Sequence, residues 1–260
     1  MSRFAKRQLS TSRALVAQSA ELVTVDDKYL TLKMNLHQRL IDVLDLSVIE
    51  KMNRDDFEKQ TSGQAPAGAF KVSSSTILVD GTKPYSGTKS VHIKVAPGGA
   101  ASELTFSTQF PFNEEHGRLM MFMTRVPTNG SHWDIVHSRN PSTDWEIGGQ
   151  FGAFEFVADP PDHGVLSKTK VPVGKWFCLQ WEFKYGGAGM PNTFVAKMDG
   201  TALEQGMFTG PNSRGESWVA GPWRSLNLGW VGYQASNVEM ELWIDGLAFG
   251  EQDIACPAVQ

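Results

Sequence analysis

Glycine and proline are confined to one part of this chain. Of its 260 residues the first glycine is Gly63 and the first proline Pro66, so all 25 glycines and all 13 prolines lie beyond residue 62. Before that point the sequence lacks the residue that most readily enters left-handed turns and the one that most firmly interrupts helices. Beyond it, turn residues recur at intervals that leave room only for short strands. All eight tryptophans also fall at or after Trp133. The break predicts two regions: a helical segment over 1–60 and a β domain over 70–260. Thr61-Ser-Gly-Gln-Ala-Pro-Ala-Gly-Ala69 reads as a flexible linker between them.

In the first region Leu32, Leu36, Leu40 and Leu44 recur at i+4 with Ile41 beside them, an apolar stripe on a helix over about 28–45. Ser47-Val-Ile-Glu50 fits a capping box opening a second helix. Asn53 and Asp56 are candidate caps for a third turn with Phe57 facing inward. Residues 10–24 fit a further amphipathic helix. Arg3, Lys6, Arg7 and Arg13 precede any acid, which suits either a membrane-surface arm or a frayed soluble terminus. The polar run from Gln8 to Arg13 interrupts any secretory h-region. A core this thin predicts a segment that docks on a protein partner.

The second region alternates. In 176–184, Phe177, Leu179, Trp181 and Phe183 share one face, and Trp176, Cys178, Gln180, Glu182 and Lys184 the other. Ten such runs are expected at 75–79, 89–95, 102–109, 118–126, 132–138, 145–157, 175–185, 193–198, 225–233 and 239–249. Turn signals such as Asp80-Gly81, Asn129-Gly130 and Asp199-Gly200 separate them. Ten strands with no convincing helix between them predict two packed sheets. The formal charge of −4 argues against nucleic acid as a partner. No apolar run reaches the roughly 20 residues of a membrane span.

Four blocks carry a resemblance: Ser86-Gly-Thr-Lys-Ser-Val-His-Ile93, Trp145-Glu-Ile-Gly-Gly-Gln150, Val171-Pro-Val-Gly-Lys-Trp-Phe-Cys-Leu-Gln-Trp-Glu182, and Leu226-Asn-Leu-Gly-Trp230 with Tyr233, Leu242-Trp-Ile-Asp-Gly246 and Cys256. Over about 75–257 the chain resembles the core domain of a fungal protein secreted with cellulases and its bacterial relatives. These are akin to glucuronan and alginate lyases of the concanavalin-like jelly-roll type. The resemblance implies a mainly β jelly-roll sandwich with a short helical N-terminal segment. It further implies that the domain acts on a uronic-acid-containing polysaccharide, as a binder or as a lyase. Residues 30–52 are similar to the N-terminal helices of pilus-assembly secretion ATPases. The chain has no Gly-Lys-Ser/Thr phosphate loop, so only docking is implied there, and the second reading is an interaction or adaptor protein carrying a jelly-roll passenger.

Uronan lyases neutralise the substrate carboxylate, remove the acidified α-proton and protonate the leaving oxygen. His132, His137, Arg139, Gln150 and Tyr233 have suitable side chains and stand on or beside the matching blocks. Each also has a structural reading, as a packed histidine, a backbone-satisfying amide or a lining aromatic. On a regular strand His132 and Arg139 face opposite sides, so a bulge or a loop end at Arg139 is required to unite them, with His137 and Arg139 as the alternative pair. Asp134 and Asp144 read as solvated carboxylates. Trp133, Trp145, Trp218 and Trp223 lie near loops and are the candidate sugar-stacking platform. Trp176, Trp181, Trp230 and Trp243 read as core.

From the same resemblance come three further expectations. Cys178 and Cys256, the only cysteines, would form a disulfide. A structural Ca²⁺ would be held partly by Asp245, although the family's first-strand glutamate is missing from Ala69-Phe-Lys-Val72. The implied location is extracellular or periplasmic, in tension with the absence of a visible signal peptide.

Overall fold

The computed structural model describes Lys33 and residues 55–67, 70–74, 76–98, 101–106, 114–139, 144–159, 163–186, 192–209, 223, 225–234 and 239–257. The chain divides into two compact units, 1–48 and 49–260. Of the first, Lys33 alone is described, as an exposed helical residue. The other helical expectations before residue 55 lie outside the described residues.

Among the described residues of the second unit, one helical turn, α1 (Asp55–Glu58), is followed by fourteen strands. Phe57 is buried in the core, as its inward placement requires. The Glu58 carboxylate accepts the backbone N–H groups of Thr88 and Lys89 and the Thr88 hydroxyl. The stretch expected as a free linker is tied down in its first half: Gly63 N–H donates to Val79 O, and Val79 N–H to Gln64 O, each at 2.8 Å.

The strands are β1 (Phe70–Val72), β2 (Ile77–Asp80), β3 (Ser90–Val95), β4 (Ala101–Phe106), β5 (Glu114–Met123), β6 (Trp133–Arg139), β7 (Asp144–Gln150), β8 (Ala153–Asp159), β9 (His163–Lys170), β10 (Trp176–Lys184), β11 (Thr193–Met198), β12 (Thr201–Thr209), β13 (Ser225–Gly232) and β14 (Met240–Gly250). They build two seven-stranded antiparallel sheets. The first runs β1-β4-β13-β6-β7-β8-β9 and the second β12-β11-β10-β5-β14-β3-β2. The sheets pack as a sandwich of jelly-roll type.

Alternation decides which side chains enter the core. The β10 set Phe177, Leu179, Trp181 and Phe183 is buried with Leu119, Met121 and Met123 of β5 and with Leu226, Leu228 and Trp230 of β13. One polar group sits among them. Glu115 accepts the Trp181 indole N–H at 3.0 Å and the Ser138 hydroxyl at 3.4 Å, linking the second sheet to the first. Complete burial pushes its carboxyl up to about 7.

The run expected as one strand over 145–157 is two, β7 and β8. Phe151 (φ 53°) and Gly152 (φ 71°) both take left-handed backbone and form a two-residue hairpin. Asp199 and Gly200 do the same between β11 and β12 (φ 51° and 79°), where the Asp-Gly signal predicts it. Cys178 and Cys256 are joined by a disulfide with Cα atoms 6.0 Å apart.

Candidate functional site

A β-bulge assembles the site. Between β6 and β7 the register runs Asp134↔Gly148 and then Val136↔Ile147, leaving Ile135 without a partner. The extra residue reverses the parity of the rest of β6. Asp134 therefore faces the same side as His137 and Arg139, which pair with Glu146 and Asp144. His132, two residues before Asp134, joins them. The obstacle posed by a regular strand is removed at Ile135 rather than at Arg139. β13 carries a matching irregularity between Leu228 and Val231.

The outer face of the first sheet thus brings together His132, Asp134, His137, Arg139, Glu146 and Gln150, with Glu103 from β4, Glu155 from β8 and Tyr233 just past β13. Tyr233 N–H donates to His132 O at 3.0 Å, and the two rings stack with centroids 4.9 Å apart. Gly148 is required beneath Asp134, because a Cβ there would collide with the Trp133 carbonyl and with Asp134 Oδ1.

The Tyr233 hydroxyl is the hub. It lies 2.7 Å from Asp134 Oδ2 and 2.7 Å from Glu146 Oε1, and it accepts from Arg139 Nη2 at 3.2 Å. One phenolic proton serves only one carboxylate. Burial, and then the charge of Asp134, push the Glu146 carboxyl up to about 8, against the hydrogen bond it accepts from Tyr233. Burial and the same two acids push the Tyr233 phenol far above its ordinary value.

The other groups take their character from their surroundings. Burial lowers the affinity of His132 for its proton, but Asp134 (Oδ1 3.4 Å from Nε2), Glu155 (3.6 Å) and Glu146 outweigh it, and the net shift is upward. His137 is buried, with Nε2 3.2 Å from Glu103 Oε1. Burial and then the Arg139 charge push it down to about 3, which favours a neutral imidazole beside Glu103. Burial raises Glu103 to about 7 against the pull of Arg139. Arg139 is half-exposed and paired with Asp144 at 3.2 Å and Glu146 at 3.7 Å. One N–H of the Gln150 amide donates to Gly130 O at 2.8 Å.

The tryptophan platform requires correction. Trp133, Trp145 and Trp223 are all buried in the core: Trp133 stacks on Trp230, Trp145 packs against Trp181 and Phe194, and Trp223 meets Phe183 edge to face. Trp133 and Trp145 point inward because their strand parity opposes that of the polar residues. Trp218 lies outside the described residues. Among the described residues, the exposed aromatics are Tyr233 (45% exposed) and Phe151 (49%). Asp134 and Asp144 are not solvated; Asp134 is fully buried and Asp144 is ion-paired.

Asp245 belongs to the second sheet. Its Oδ2 accepts the N–H groups of Tyr85 (2.9 Å) and Ser86 (3.1 Å), and Oδ1 that of Gly246 (2.7 Å). Both oxygens are met by donors, where a calcium ion requires a shell of six to eight oxygens. No cluster of ligand side chains includes Asp245 among the described residues. The residues present do not fit the expected ion.

No protein-family model matches the chain, and no curated protein matches it. Solved structures do. "Cellulose induced protein, Cip1" superposes with a TM-score of 0.62 at 18% identity, covering 78% of this chain and 98% of that one. The likeness is one of fold. The alginate lyase Aly36B superposes at 0.53 with 8% identity, covering 77% of this chain and 96% of its own. A variant of Aly36B in complex with an alginate trisaccharide gives 0.52 at 9% identity, covering 76% of this chain and 96% of its own. The jelly-roll resemblance read from the sequence blocks is matched here in three dimensions. The resemblance of residues 30–52 to secretion ATPases has no counterpart among these structures.

Proposed function

We propose that the outer face of the first sheet binds a uronic-acid-containing polysaccharide and cleaves it by β-elimination. The observation that carries the reading is the hub itself: an exposed tyrosine whose hydroxyl touches one cation and two buried acids, stacked on a histidine. A fold shared with an alginate lyase supports the substrate class.

The Arg139 guanidinium, with the remaining N–H of Gln150, pairs with the uronate carboxylate and acidifies the proton at C5. The Tyr233 oxygen takes that proton as its own passes to Asp134, so no free phenolate forms. The C5 electron pair becomes the C4=C5 double bond and the C4–O4 bond breaks. His132, whose affinity for a proton its acidic neighbours raise, gives that proton to O4. The proton now on Asp134 returns to His132, whose Nε2 lies 3.4 Å from Asp134 Oδ1, and the starting state is restored. Phe151, exposed at the same end beside Gln150, supplies the apolar surface for a neighbouring sugar ring.

The test offers the full chain glucuronan, alginate, pectate and a neutral glucan and follows the ultraviolet absorbance of unsaturated uronate ends. A rise on an acidic polymer that disappears with Tyr233→Phe supports elimination at this face. Retarded migration in a polymer-containing gel without any rise makes the domain a binding module. Neither signal on any polymer overturns the proposal.

A further inference from the structure

The opposite side of the sandwich carries a second polar group. On β5 the even-numbered residues Glu114, His116 and Arg118 face outward from the second sheet, and on β10 Gln180, Glu182 and Lys184 do the same. His116 pairs directly across the ladder with Glu182, and Glu114 with Lys184. A ring nitrogen of His116 and one carboxylate oxygen each from Glu114 and Glu182 all lie within 4.8 Å of one another. His116 is buried, with 7% of its surface exposed, and its Nδ1 has no hydrogen-bond partner. A buried ring nitrogen without a partner is unfavourable, and the carboxylates of Glu114 and Glu182 stand beside this ring.

The C-terminal tail closes one side of the group. Arg118 Nη1 donates to Ala255 O and Gln180 Nε2 to Ile254 O, each at 2.8 Å, and Cys256 is bonded to Cys178. Arg118 and Gln180 form the row next to His116 and Glu182. The tail therefore rests where it shields the imidazole, while Glu114 and Glu182 remain half-exposed and open to solvent on the other side.

We propose that Glu114, His116 and Glu182 form a binding site for a divalent transition-metal ion of the zinc class. One imidazole and two carboxylates are a borderline N/O donor set, suited to Zn²⁺ or Co²⁺ better than to Ca²⁺ or Mg²⁺, which favour oxygen alone. Three protein ligands leave a fourth position for water. The ion clamps the adjacent strands β5 and β10 beneath the tail, a structural role separate from the sugar-binding face. Lys184, ion-paired with Glu114, competes for one ligand and must release it when the metal binds.

The test titrates the EDTA-stripped full chain with Co²⁺ and Zn²⁺, using calorimetry for affinity and visible absorption for Co²⁺ coordination. One ion should bind, and affinity should fall about tenfold or more in His116→Gln and in Glu182→Gln. It should be unchanged in Glu146→Gln, which alters the His132–Asp134–Glu146 group of the other face. Lys184→Gln should bind several-fold more tightly, since it removes the competitor. Circular dichroism checks that each variant folds; if His116→Gln does not, the half-exposed Glu182→Gln decides alone. The proposal is overturned if the chain binds neither ion, or if binding is undiminished in Glu182→Gln.

Discussion

The Tyr233 hydroxyl lies 2.7 Å from Asp134 Oδ2, and Asp134 has no solvent exposure at all. A carboxylate so placed exchanges protons with the outside through the phenol that covers Oδ2 and the His132 ring beside Oδ1. Tyr233→Phe should therefore reduce the rate of elimination by about 10²–10⁴-fold, the usual contribution of positioned proton transfer. Loss of a hydrogen bond to a charged group should also lower stability by about 1.5–3 kcal/mol. Initial rates and urea denaturation of the same preparation separate the two effects. Activity within a factor of about three of the parent would sink the assignment.

Acidic polymer should be held more tightly below pH 7 than above pH 8. Glu103, at about 7, and Glu146, at about 8, are neutral in acid and ionise as the pH rises through those values. Each ionisation adds a negative charge beside Arg139. Gel retardation on alginate or glucuronan between about pH 5.5 and 9 should show the decline, and Glu103→Gln with Glu146→Gln should reduce it to the part contributed by His132 losing its proton. A profile that keeps its slope in the double variant contradicts the account.

Stability should itself fall with rising pH, and Glu115 gives the sign. Its folded value of about 7 lies above the unfolded 4.5, so the folded state holds the proton more firmly. That contribution is full below about pH 4.5, is lost as pH rises through 7, and is on the order of 3 kcal/mol. Glu115→Gln keeps an acceptor for Trp181 and cannot ionise. Its melting temperature should match the parent near pH 5 and exceed it at pH 8, which calorimetry at the two pH values will measure.

Phe151 sits in backbone that suits glycine (φ 53°) with its ring half in solvent. Phe151→Gly should stabilise the fold by about 1 kcal/mol through relief of that conformation. The same change should weaken polymer retention, because the sugar platform is gone. A variant that is more stable yet equally retained would show that the ring has no part in binding.

Cys178→Ser should cost about 4 kcal/mol, the chain-entropy value for a closed loop of this length. Thermal unfolding of the parent with and without reductant should reproduce the loss. If the two melting curves coincide, the tail is held by its hydrogen bonds alone.

The sandwich was legible because alternation is local. The β10 core set and the Asp199-Gly200 hairpin follow from residue order alone, and the disulfide from the resemblance. What escaped depends on partners. The Ile135 bulge is a relation between β6 and β7, so nothing in the Trp133–Arg139 stretch announces it. Asp134 looked solvated because its burial is made by Tyr233, 99 residues away. Trp145 failed for a simpler reason, since it shares strand parity with Ile147 and parity outweighed proximity to a turn. Trp133, by contrast, has the residue-order parity of His137 and Arg139 and is turned to the opposite face from them by the same bulge. Phe151 escaped because a phenylalanine is a poor signal for a left-handed turn. Asp134 and Glu146 could have been found by stepping two residues from His132 and four from Gln150.

The order of the second sheet sets a timetable for folding. β14 lies between β5 and β3 and completes the ladder on both sides. Until residues 240–250 have been synthesised, β2 with β3 and β5 with β10 are separate fragments, each with a bare hydrogen-bonding edge and an uncovered apolar face. Closure waits on contacts between residues far apart in sequence, such as Glu241 with Lys94, a topology that folds slowly. During that interval the exposed edges invite strand addition from other chains. The nascent protein is thus most vulnerable to aggregation just before β14 emerges, and a chaperone acting on it has to shield the two parts of one unfinished sheet.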